Sequence, residues 1–166
     1  MVKKNDSRIK FPRIQLLVLD FDGVMTDDKV YVDEKGTESV RCSRSDGLGI
    51  NLVRKRGVKV IVLSRERNPV VKSRCRKLKI PTFPGVENKL KVLERLVKIY
   101  RIKAERVCYI GNDITDIDCV KFAGIGCAVN NSHPLLLKNS DYVTRNKGGE
   151  GAIREICDLI LLKCSE

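Results

Sequence analysis

The chain has 166 residues, with 33 lysines and arginines against 21 acidic residues and a formal net charge of +12. This length allows one core without a long linker, so we expect a single domain over residues 1–166. The longest apolar runs are strand-sized, and no repeat, low-complexity tract or signal peptide is evident, which excludes a membrane span and favours the cytoplasm.

The first predicted strand, residues 14–19, runs into Asp20-Phe21-Asp22-Gly23. Side chains two apart in an extended chain point the same way, so Asp20 and Asp22 share one face while Phe21 turns into the core. Two carboxylates that face one small space suit Mg²⁺, which would keep one of them ionised and leave room for a phosphate oxygen. The alternative is a solvated Asp-Gly turn after a buried strand.

A β-hairpin is predicted next, over residues 29–40. Two strand-like triplets, Val30-Tyr31-Val32 and Glu38-Ser39-Val40, flank the turn signal Glu34-Lys35-Gly36. Alternating segments around a short polar turn with glycine are typical of a hairpin.

Three more apolar runs follow, each with polar residues at its carboxyl end, and each predicts a buried parallel strand. Residues 58–63 end at Ser64, residues 106–110 at Gly111-Asn112-Asp113, and residues 125–129 at Asn130-Asn131.

Helical patterns alternate with these strands, over residues 46–56, 68–78, 87–100, 114–122 and 150–162. The alternation predicts an α/β fold with a doubly wound parallel sheet and right-handed crossovers. Its ligand site would lie beyond the carboxyl ends of the central strands, where Asp20, Ser64 and Asp113 would meet. The glycine-rich segment 148–151 could also reach a substrate or a partner subunit.

Cysteine and histidine usage argues against other kinds of site. The seven cysteines form no CxxC pair and mostly fall inside predicted elements, which disfavours zinc or disulfides. The single histidine, His133, precedes Pro134 and is expected in a loop or at a helix start, which argues against a histidine phosphoenzyme.

The positive charge allows two interpretations. A basic chain can bind nucleic acid, but only eight aromatic residues are present, no RNP-like, zinc-finger or helix-turn-helix pattern accompanies the charge, and the cations are dispersed over several helices. Solvated helix faces account for most of them. Arg65, Arg67 and Arg74 follow the second parallel strand near the expected site, which favours an anionic substrate. Salt-sensitive DNA or RNA binding would support the other interpretation.

Four segments together resemble the ordered motifs of the haloacid dehalogenase-type phosphatases. They are residues 20–27, Ser64, Lys89, and Gly111-Asn112-Asp113-Ile114-Thr115-Asp116. Residues 45–50, 130–136 and 148–155 are similar to the capless 3-deoxy-manno-octulosonate 8-phosphate phosphatases and to the phosphatase-like domain joined to acylneuraminate cytidylyltransferases. The segment 63–71 is more similar to the cytidylyltransferase-associated branch. The resemblance covers residues 14–162 and implies a Rossmann-like core without a cap domain.

The resemblance implies a role for each motif residue. Asp20 would attack phosphorus and form an aspartyl phosphate, while Asp22 would act as general acid and base. Ser64 and Lys89 would contact the phosphoryl group, although each alone also fits a loop serine or a surface lysine.

The metal ligands follow from the same motifs. Mg²⁺ would be bound by Asp20, by the backbone carbonyl of Asp22 and by Asp113, with Asp116 in an outer role. Many relatives have Asp-Asp where this chain has Asn112-Asp113. Asn112 is therefore an alternative direct ligand, which would weaken metal affinity.

We therefore expect a magnesium-dependent phosphatase for a phosphorylated 2-keto sugar acid, either 3-deoxy-D-manno-octulosonate 8-phosphate or a nonulosonate 9-phosphate. Arg65 or Arg74 would serve the carboxylate, and Asp46 is a further candidate for substrate binding. Two alternatives are a broad sugar phosphatase and a non-catalytic oligomerisation module of a cytidylyltransferase. The resemblance also implies a homotetramer assembled through the hairpins and leaves a cytidylyltransferase partner open; no nucleic-acid or membrane partner is expected.

Overall fold

The computed structural model describes residues 11–163, and its centre is a six-stranded parallel sheet. The strands are β1 (Leu16–Leu19), β4 (Lys59–Leu63), β5 (Thr82–Phe83), β6 (Val107–Gly111), β7 (Ile125–Ala128) and β8 (Tyr142–Val143), in the order β5-β4-β1-β6-β7-β8. A separate antiparallel pair consists of β2 (Thr26–Val32) and β3 (Glu38–Cys42).

Within residues 11–163, five α-helices lie between strands and a sixth follows β8. They are α1 (Arg44–Lys55), α2 (Pro69–Leu78), α3 (Lys89–Tyr100), α4 (Ile117–Phe122), α5 (Pro134–Asn139) and α6 (Ala152–Lys163), with 3-10 turns at Ala104–Arg106 and Ile114–Asp116. Asparagine side chains begin two of the helices, since Asn68 accepts a hydrogen bond from the Val70 N–H and Asn88 from the Lys91 N–H. Within the described part of the chain, none of the helices has the length and apolarity that crossing a membrane requires.

The parallel strands are buried on both faces, which explains their nearly continuous apolar sequences. Alternate residues of β1 point to opposite sides: Leu17 and Leu19 belong to one hydrophobic cluster, and Leu16 and Val18 to the other. The first cluster includes residues of α1, α2 and α6, and the second includes residues of α3, α4 and α5. This arrangement confirms the predicted α/β fold with helices on both sides of a parallel sheet.

The direction of winding reverses beside β1. The chain proceeds from β1 outward to β4 and β5, and then returns to β6 on the other side of β1. In such sheets the loops at the carboxyl ends diverge at the reversal and leave a crevice. The reversal lies between β1 and β6, next to Asp20.

The four long parallel strands are confirmed, but three short elements were not predicted. The strands β5 and β8 have two residues each, and α5 has six, so their sequences are too short to show periodicity. The predicted helix over residues 114–122 is divided, because Asp113 and Asp116 exchange capping hydrogen bonds and a 3-10 turn precedes α4. His133 begins α5, and its ring Nδ1 accepts from the Leu135 N–H, which confirms the helix-start prediction.

The hairpin is confirmed and is longer than residues 29–40. Its register pairs Val30 with Val40 and Val32 with Glu38, and it extends back to a Thr26–Cys42 pair. Among the described residues it is the only insertion between β1 and α1. The single-domain prediction covers residues 1–166 and so includes termini outside the described range; it stays a prediction.

Candidate active site

A cavity of about 280 Å³ opens at the carboxyl ends of β1, β4 and β6. The loop after β1 contributes Asp20 and Asp22, the end of β4 contributes Ser64, and the start of α3 contributes Lys89. The complete lining is Asp20, Asp22, Asp28, Ser64, Arg65, Glu66, Lys89, Asn112, Asp113 and Thr115. The structure therefore brings together residues from all four motifs identified in the sequence.

Asp20 is held at the end of β1 by three hydrogen bonds. Its backbone N–H donates to the Ile110 carbonyl at 3.0 Å, which continues the ladder between β1 and β6 beyond the last strand residue. Its Oδ1 accepts from the Phe21 N–H at 2.7 Å, and its Oδ2 lies 2.8 Å from Lys89 Nζ. The side chain is almost completely buried, so its position is fixed before any ligand binds.

Lys89 is a buried cation shared by two carboxylates. Its Nζ lies 2.8 Å from Asp20 Oδ2 and 2.8 Å from Asp116 Oδ1, and only 3% of the residue is exposed. This burial excludes the alternative of a surface lysine. Burial lowers the pKa of Lys89, but the charges of Asp20 and Asp116 outweigh it and raise the pKa, so the ammonium form persists.

Asp116 is fully buried directly below the end of β6. A Cβ at position 111 would lie 2.7 Å from Asp116 Cγ, so only glycine lets the carboxylate approach the backbone here. Asp116 Oδ2 accepts from the N–H groups of Asn112 and Asp113 at 3.0 and 3.3 Å. Asp116 therefore fixes both Lys89 and the loop that follows β6.

The carboxyl groups of Asp20 and Asp22 have unusual proton affinities. Burial, followed by the charge of Asp116, raises the pKa of Asp20, while Lys89 opposes this rise. Burial, followed by the charges of Glu66 and Asp28, raises the pKa of the half-buried Asp22 to about 6. A neighbouring divalent cation would favour the ionised form of Asp20.

Ser64 lies at the end of β4 and is also buried. Its N–H donates to the Phe83 carbonyl at 3.0 Å, and its Oγ accepts from the Glu66 N–H at 3.0 Å. The hydroxyl hydrogen can therefore be donated to a group bound in the cavity.

The oxygen donors of the cavity fit a hard divalent cation. Five carboxylates line it against two cationic side chains, Lys89 and Arg65, and the half-buried Asn112 adds an amide oxygen. Across the described residues, no group of three or more His, Cys, Asp or Glu side chains is already gathered closely enough to hold a metal ion. The fit therefore rests on the donor chemistry and on the excess of negative charge.

Asp46 and Arg74 do not line this cavity. Asp46 is buried beside the start of α6, where its Oδ1 accepts from the Arg154 N–H at 2.8 Å. Arg74 donates from Nη2 to the Ser43 carbonyl at 3.0 Å. The structure therefore places Asp46 against the start of α6 and Arg74 against the start of α1. Arg65 is the predicted substrate-binding residue that does line the cavity.

Two glycines of segment 148–151 pack against the loop after β1, while Glu150 is exposed, and contact of this segment with a substrate or a partner subunit stays a prediction. Gly148 and Gly149 are buried against the loop after β1, and the Gly149 N–H donates to the Val24 carbonyl at 3.0 Å. A Cβ at position 148 would overlap the Gly23 carbonyl oxygen. The glycines here permit close contact with the Asp20 loop.

Three polar residues at or near the site were missed from sequence. Asp28 and Glu66 line the cavity, and Tyr109 donates its hydroxyl to Asp116 Oδ1 at 2.7 Å. Glu66 follows Arg65 in the chain and Asp28 follows the first motif, residues 20–27, so proximity was a usable signal. Tyr109 lies within the apolar run of β6, where the sequence gives no indication of a polar contact.

Known proteins share this fold and much of this sequence. Residues 80–156 match the family model of the haloacid dehalogenase-like hydrolases. The 3-deoxy-D-manno-octulosonate 8-phosphate phosphatase of Escherichia coli BL21 is 37% identical over 158 residues, which are 95% of this chain and 84% of that protein.

Two solved structures are also similar over most of their length. A HAD family hydrolase from Streptomyces avermitilis is 45% identical with a TM-score of 0.88, covering 90% of this chain and 86% of that one. The 3-deoxy-D-manno-octulosonate 8-phosphate phosphatase of Moraxella catarrhalis, solved with a magnesium ion, a phosphate ion and KDO, is 33% identical with a TM-score of 0.89 and covers 93% and 89% of the two chains. With this degree of identity over nearly the whole chain, the protein belongs to the haloacid dehalogenase-like hydrolases and is a phosphatase related to those that act on 3-deoxy-D-manno-octulosonate 8-phosphate.

Proposed function

We propose that this phosphatase hydrolyses the phosphomonoester of a 2-keto sugar acid through an aspartyl phosphate on Asp20, with Mg²⁺ as cofactor. The observation that supports this most directly is the position of the Lys89 ammonium, 2.8 Å from Asp20 in a cavity with Asp22 and Ser64. A carboxylate beside a fixed cation is suited to attack a dianionic phosphoryl group, because the cation offsets the repulsion between them.

In the first step, a carboxylate oxygen of Asp20 bonds to phosphorus while the bond from phosphorus to the sugar oxygen breaks. Asp22 gives its proton to the departing oxygen. The pKa of about 6 suits this role, because roughly a tenth of the Asp22 carboxyl groups hold their proton at pH 7 and about half do at pH 6. Ser64 and Lys89 donate hydrogen bonds to the phosphoryl oxygens.

In the second step, Asp22, now ionised, takes a proton from water as the water oxygen bonds to phosphorus. The bond between Asp20 and phosphorus breaks, and inorganic phosphate leaves. When bound, Mg²⁺ would neutralise charge on the phosphoryl group and favour the ionised form of Asp20. Asp20, the Asp22 carbonyl and Asp113 would hold it, with Asn112 as the alternative ligand and Asp116 in an outer role.

The substrate proposal rests on the relatives and on one arginine. The E. coli and M. catarrhalis proteins are named for 3-deoxy-D-manno-octulosonate 8-phosphate, and this compound or a nonulosonate 9-phosphate carries both phosphate and carboxylate. Arg65 is exposed and lines the cavity, so it is placed to pair with the carboxylate while Lys89 serves the phosphate.

The open cavity favours one alternative, a broad sugar phosphatase. No element in the described range covers the cavity as a cap would, so selection of the sugar depends on few side chains. The other alternative, a non-catalytic oligomerisation module, is disfavoured because Asp20, Asp22 and Lys89 are all present at the cavity.

The exposed hairpin supports the proposed homotetramer. Val30, Tyr31 and Val32 are 53%, 62% and 60% exposed on β2, an unusual density of exposed apolar side chains. Light scattering coupled to size exclusion is expected to give four chains per particle, and Tyr31→Lys to lower that number. A monomeric wild-type protein would contradict the assembly. A cytidylyltransferase partner stays a prediction without support from a specific contact.

The deciding experiment is a panel of phosphorylated sugar acids and neutral sugar phosphates, assayed with Mg²⁺ and after chelation. We expect magnesium-dependent release of phosphate, fastest with an eight- or nine-carbon 2-keto acid phosphate. Asp20→Asn should abolish turnover of every substrate while the circular dichroism spectrum stays unchanged, because the amide keeps the shape without the nucleophile. Turnover by folded Asp20→Asn would disprove the mechanism, and turnover after complete chelation would disprove the requirement for Mg²⁺.

A further inference from the structure

Tyr109 places a hydroxyl inside an otherwise apolar part of the core. It lies in the middle of β6, fully buried, in the hydrophobic cluster that contains Val18 and Leu93. Its hydroxyl donates to Asp116 Oδ1 at 2.7 Å. A phenylalanine would fill the same space and would require no hydrogen-bond partner. Packing alone therefore does not account for a tyrosine at this position.

Tyr109 donates its hydrogen bond to Asp116, the carboxylate that competes with Asp20 for the Lys89 ammonium. Asp116 Oδ1 accepts from both the Tyr109 hydroxyl and Lys89 Nζ, while its Oδ2 accepts two backbone N–H groups. Lys89 Nζ is also 2.8 Å from Asp20 Oδ2. One ammonium is thus divided between two buried carboxylates, only one of which lines the cavity.

We propose that Tyr109 is a positioning residue for phosphoryl transfer, which weakens the hold of Asp116 on Lys89 and leaves the ammonium available to Asp20 and the phosphate. The inference rests on the roles proposed above for Asp20 and Lys89. A hydrogen bond donated to a carboxylate oxygen offsets part of its negative charge, so the same oxygen attracts a second donor less strongly. The bond also fixes the rotation of the Asp116 carboxylate, and with it the position of Nζ.

Tyr109→Phe is the direct test, because it removes one oxygen and keeps the ring. We expect kcat on an aryl phosphate to fall about tenfold with KM changed less than about twofold, since the missing interaction acts in the transition state more than on the bound substrate. Unchanged kcat would overturn the proposal. An insoluble or unfolded Tyr109→Phe protein would also overturn it, because a structural role would then explain the bond.

Tyr142→Phe is the matched control. The Tyr142 hydroxyl also donates to a carboxylate at 2.7 Å, that of Glu155, but it lies in the other hydrophobic cluster and does not line the cavity. Loss of this bond should lower the melting temperature without changing kcat. If Tyr142→Phe lowers kcat as much as Tyr109→Phe, a general loss of stability explains both and the proposal fails.

A double-mutant cycle separates positioning from structural support. Calorimetry with inorganic vanadate and Mg²⁺ measures how well the site holds an anion that resembles the phosphoryl group in the transition state, without requiring turnover. Tyr109→Phe should weaken vanadate binding about fivefold in the wild-type background and less than about twofold in the Lys89→Met background. Equal losses in both backgrounds would show that Tyr109 does not act through Lys89. If Asp20→Asn is inactive but Tyr109→Phe behaves as wild type, only this inference fails and the proposed function stands.

Discussion

The two carboxylates at the end of β1 differ in their surroundings, and this difference suits them to different roles. Asp20 is nearly buried and paired with Lys89, whereas Asp22 is half-buried near Glu66 and Asp28, two acids that line the same cavity. Asp20 is suited to be the nucleophile because Lys89, and a bound divalent cation, would oppose the burial that raises its pKa and would hold its anion in place. Asp22 is suited to donate a proton, because burial and its acidic neighbours Glu66 and Asp28 disfavour its ionised form.

The pH dependence of turnover should reveal Asp22. Its pKa of about 6 means that the proton needed by the leaving group is lost as the pH rises through 6. For a sugar phosphate, kcat should therefore decline above that pH, and the decline should be weaker for an aryl phosphate whose departure needs less protonation. Asp22→Asn should lower kcat for the sugar phosphate by about 10² to 10⁴ and much less for the aryl phosphate. Equal losses on the two substrates would instead indicate a metal-binding or structural role.

Asn112 and Asp113 are the two candidates for the metal ligand that follows β6. Both line the cavity; Asn112 is half-buried, whereas Asp113 is exposed and its Oδ1 accepts from the Ile114 N–H at 2.6 Å. Because a carboxylate binds Mg²⁺ more strongly than an amide, Asp113→Ala should weaken magnesium binding more than Asn112→Ala.

Calorimetric titration of each variant with Mg²⁺ in the absence of substrate measures this order. Asp118→Ala is the control for charge alone, since Asp118 is exposed on α4 and does not line the cavity. A larger loss with Asn112→Ala would assign the direct position to the amide.

Among the loops and helices around the site, segment 148–151 supports the loop that contains Asp20. Gly148 donates its N–H to Asn131 Oδ1 at 2.9 Å, and the Gly149 N–H is bonded to the Val24 carbonyl at 3.0 Å. The chain between β8 and α6 is therefore tied to the chain between β1 and β2. Displacement of one segment should displace the other.

Gly148→Ala tests this support. The new Cβ would meet the backbone of Gly23, which cannot rotate away, so we expect a loss of about 1 to 3 kcal/mol in unfolding free energy and a lower kcat. Urea titration and steady-state kinetics measure the two effects. Gly36→Ala is the control: it has φ of +76° and nothing within 4 Å of a Cβ, so it should cost about 1 kcal/mol and leave kcat unchanged. Normal kcat in Gly148→Ala would show that the loop tolerates the displacement.

The sequence predicted those helices and strands whose own residues carry a recognisable pattern, and missed those that depend on contacts with the rest of the fold. The apolar runs that became β1, β4, β6 and β7 predict strands buried on two faces. The alternation of side chains in an extended chain predicts that Asp20 and Asp22 share one face. The strands β5 and β8 exist because they extend an already formed sheet, which two residues cannot signal. The burial of Lys89 and the contact of Tyr109 with Asp116 depend on how α3 and the Ile114–Asp116 turn pack, which no local pattern encodes.

The net charge of the whole chain and the net charge of the cavity lining are opposite in sign. The chain carries a net charge of +12, yet five carboxylates and two cations line the cavity. The surrounding positive field draws anions towards the protein, and the acidic lining disfavours their entry unless a cation is bound. Affinity for an acidic sugar phosphate should therefore depend on Mg²⁺ and on the few cationic groups at the cavity itself.

Arg65→Ala tests whether one such group selects acidic substrates. Since Arg65 is the exposed cation that lines the cavity, its loss should raise KM for a sugar acid phosphate about tenfold or more, as expected for a charged hydrogen bond of about 1.5 to 3 kcal/mol, and should hardly change KM for a small neutral phosphate. Arg67→Ala is the matched control, because Arg67 is two residues away, pairs with Glu87 at 3.5 Å and does not line the cavity. It removes the same charge from the overall field and should leave both KM values near wild type. If the two variants raise KM equally, the general field governs binding, and the protein is then better described as a broad phosphatase.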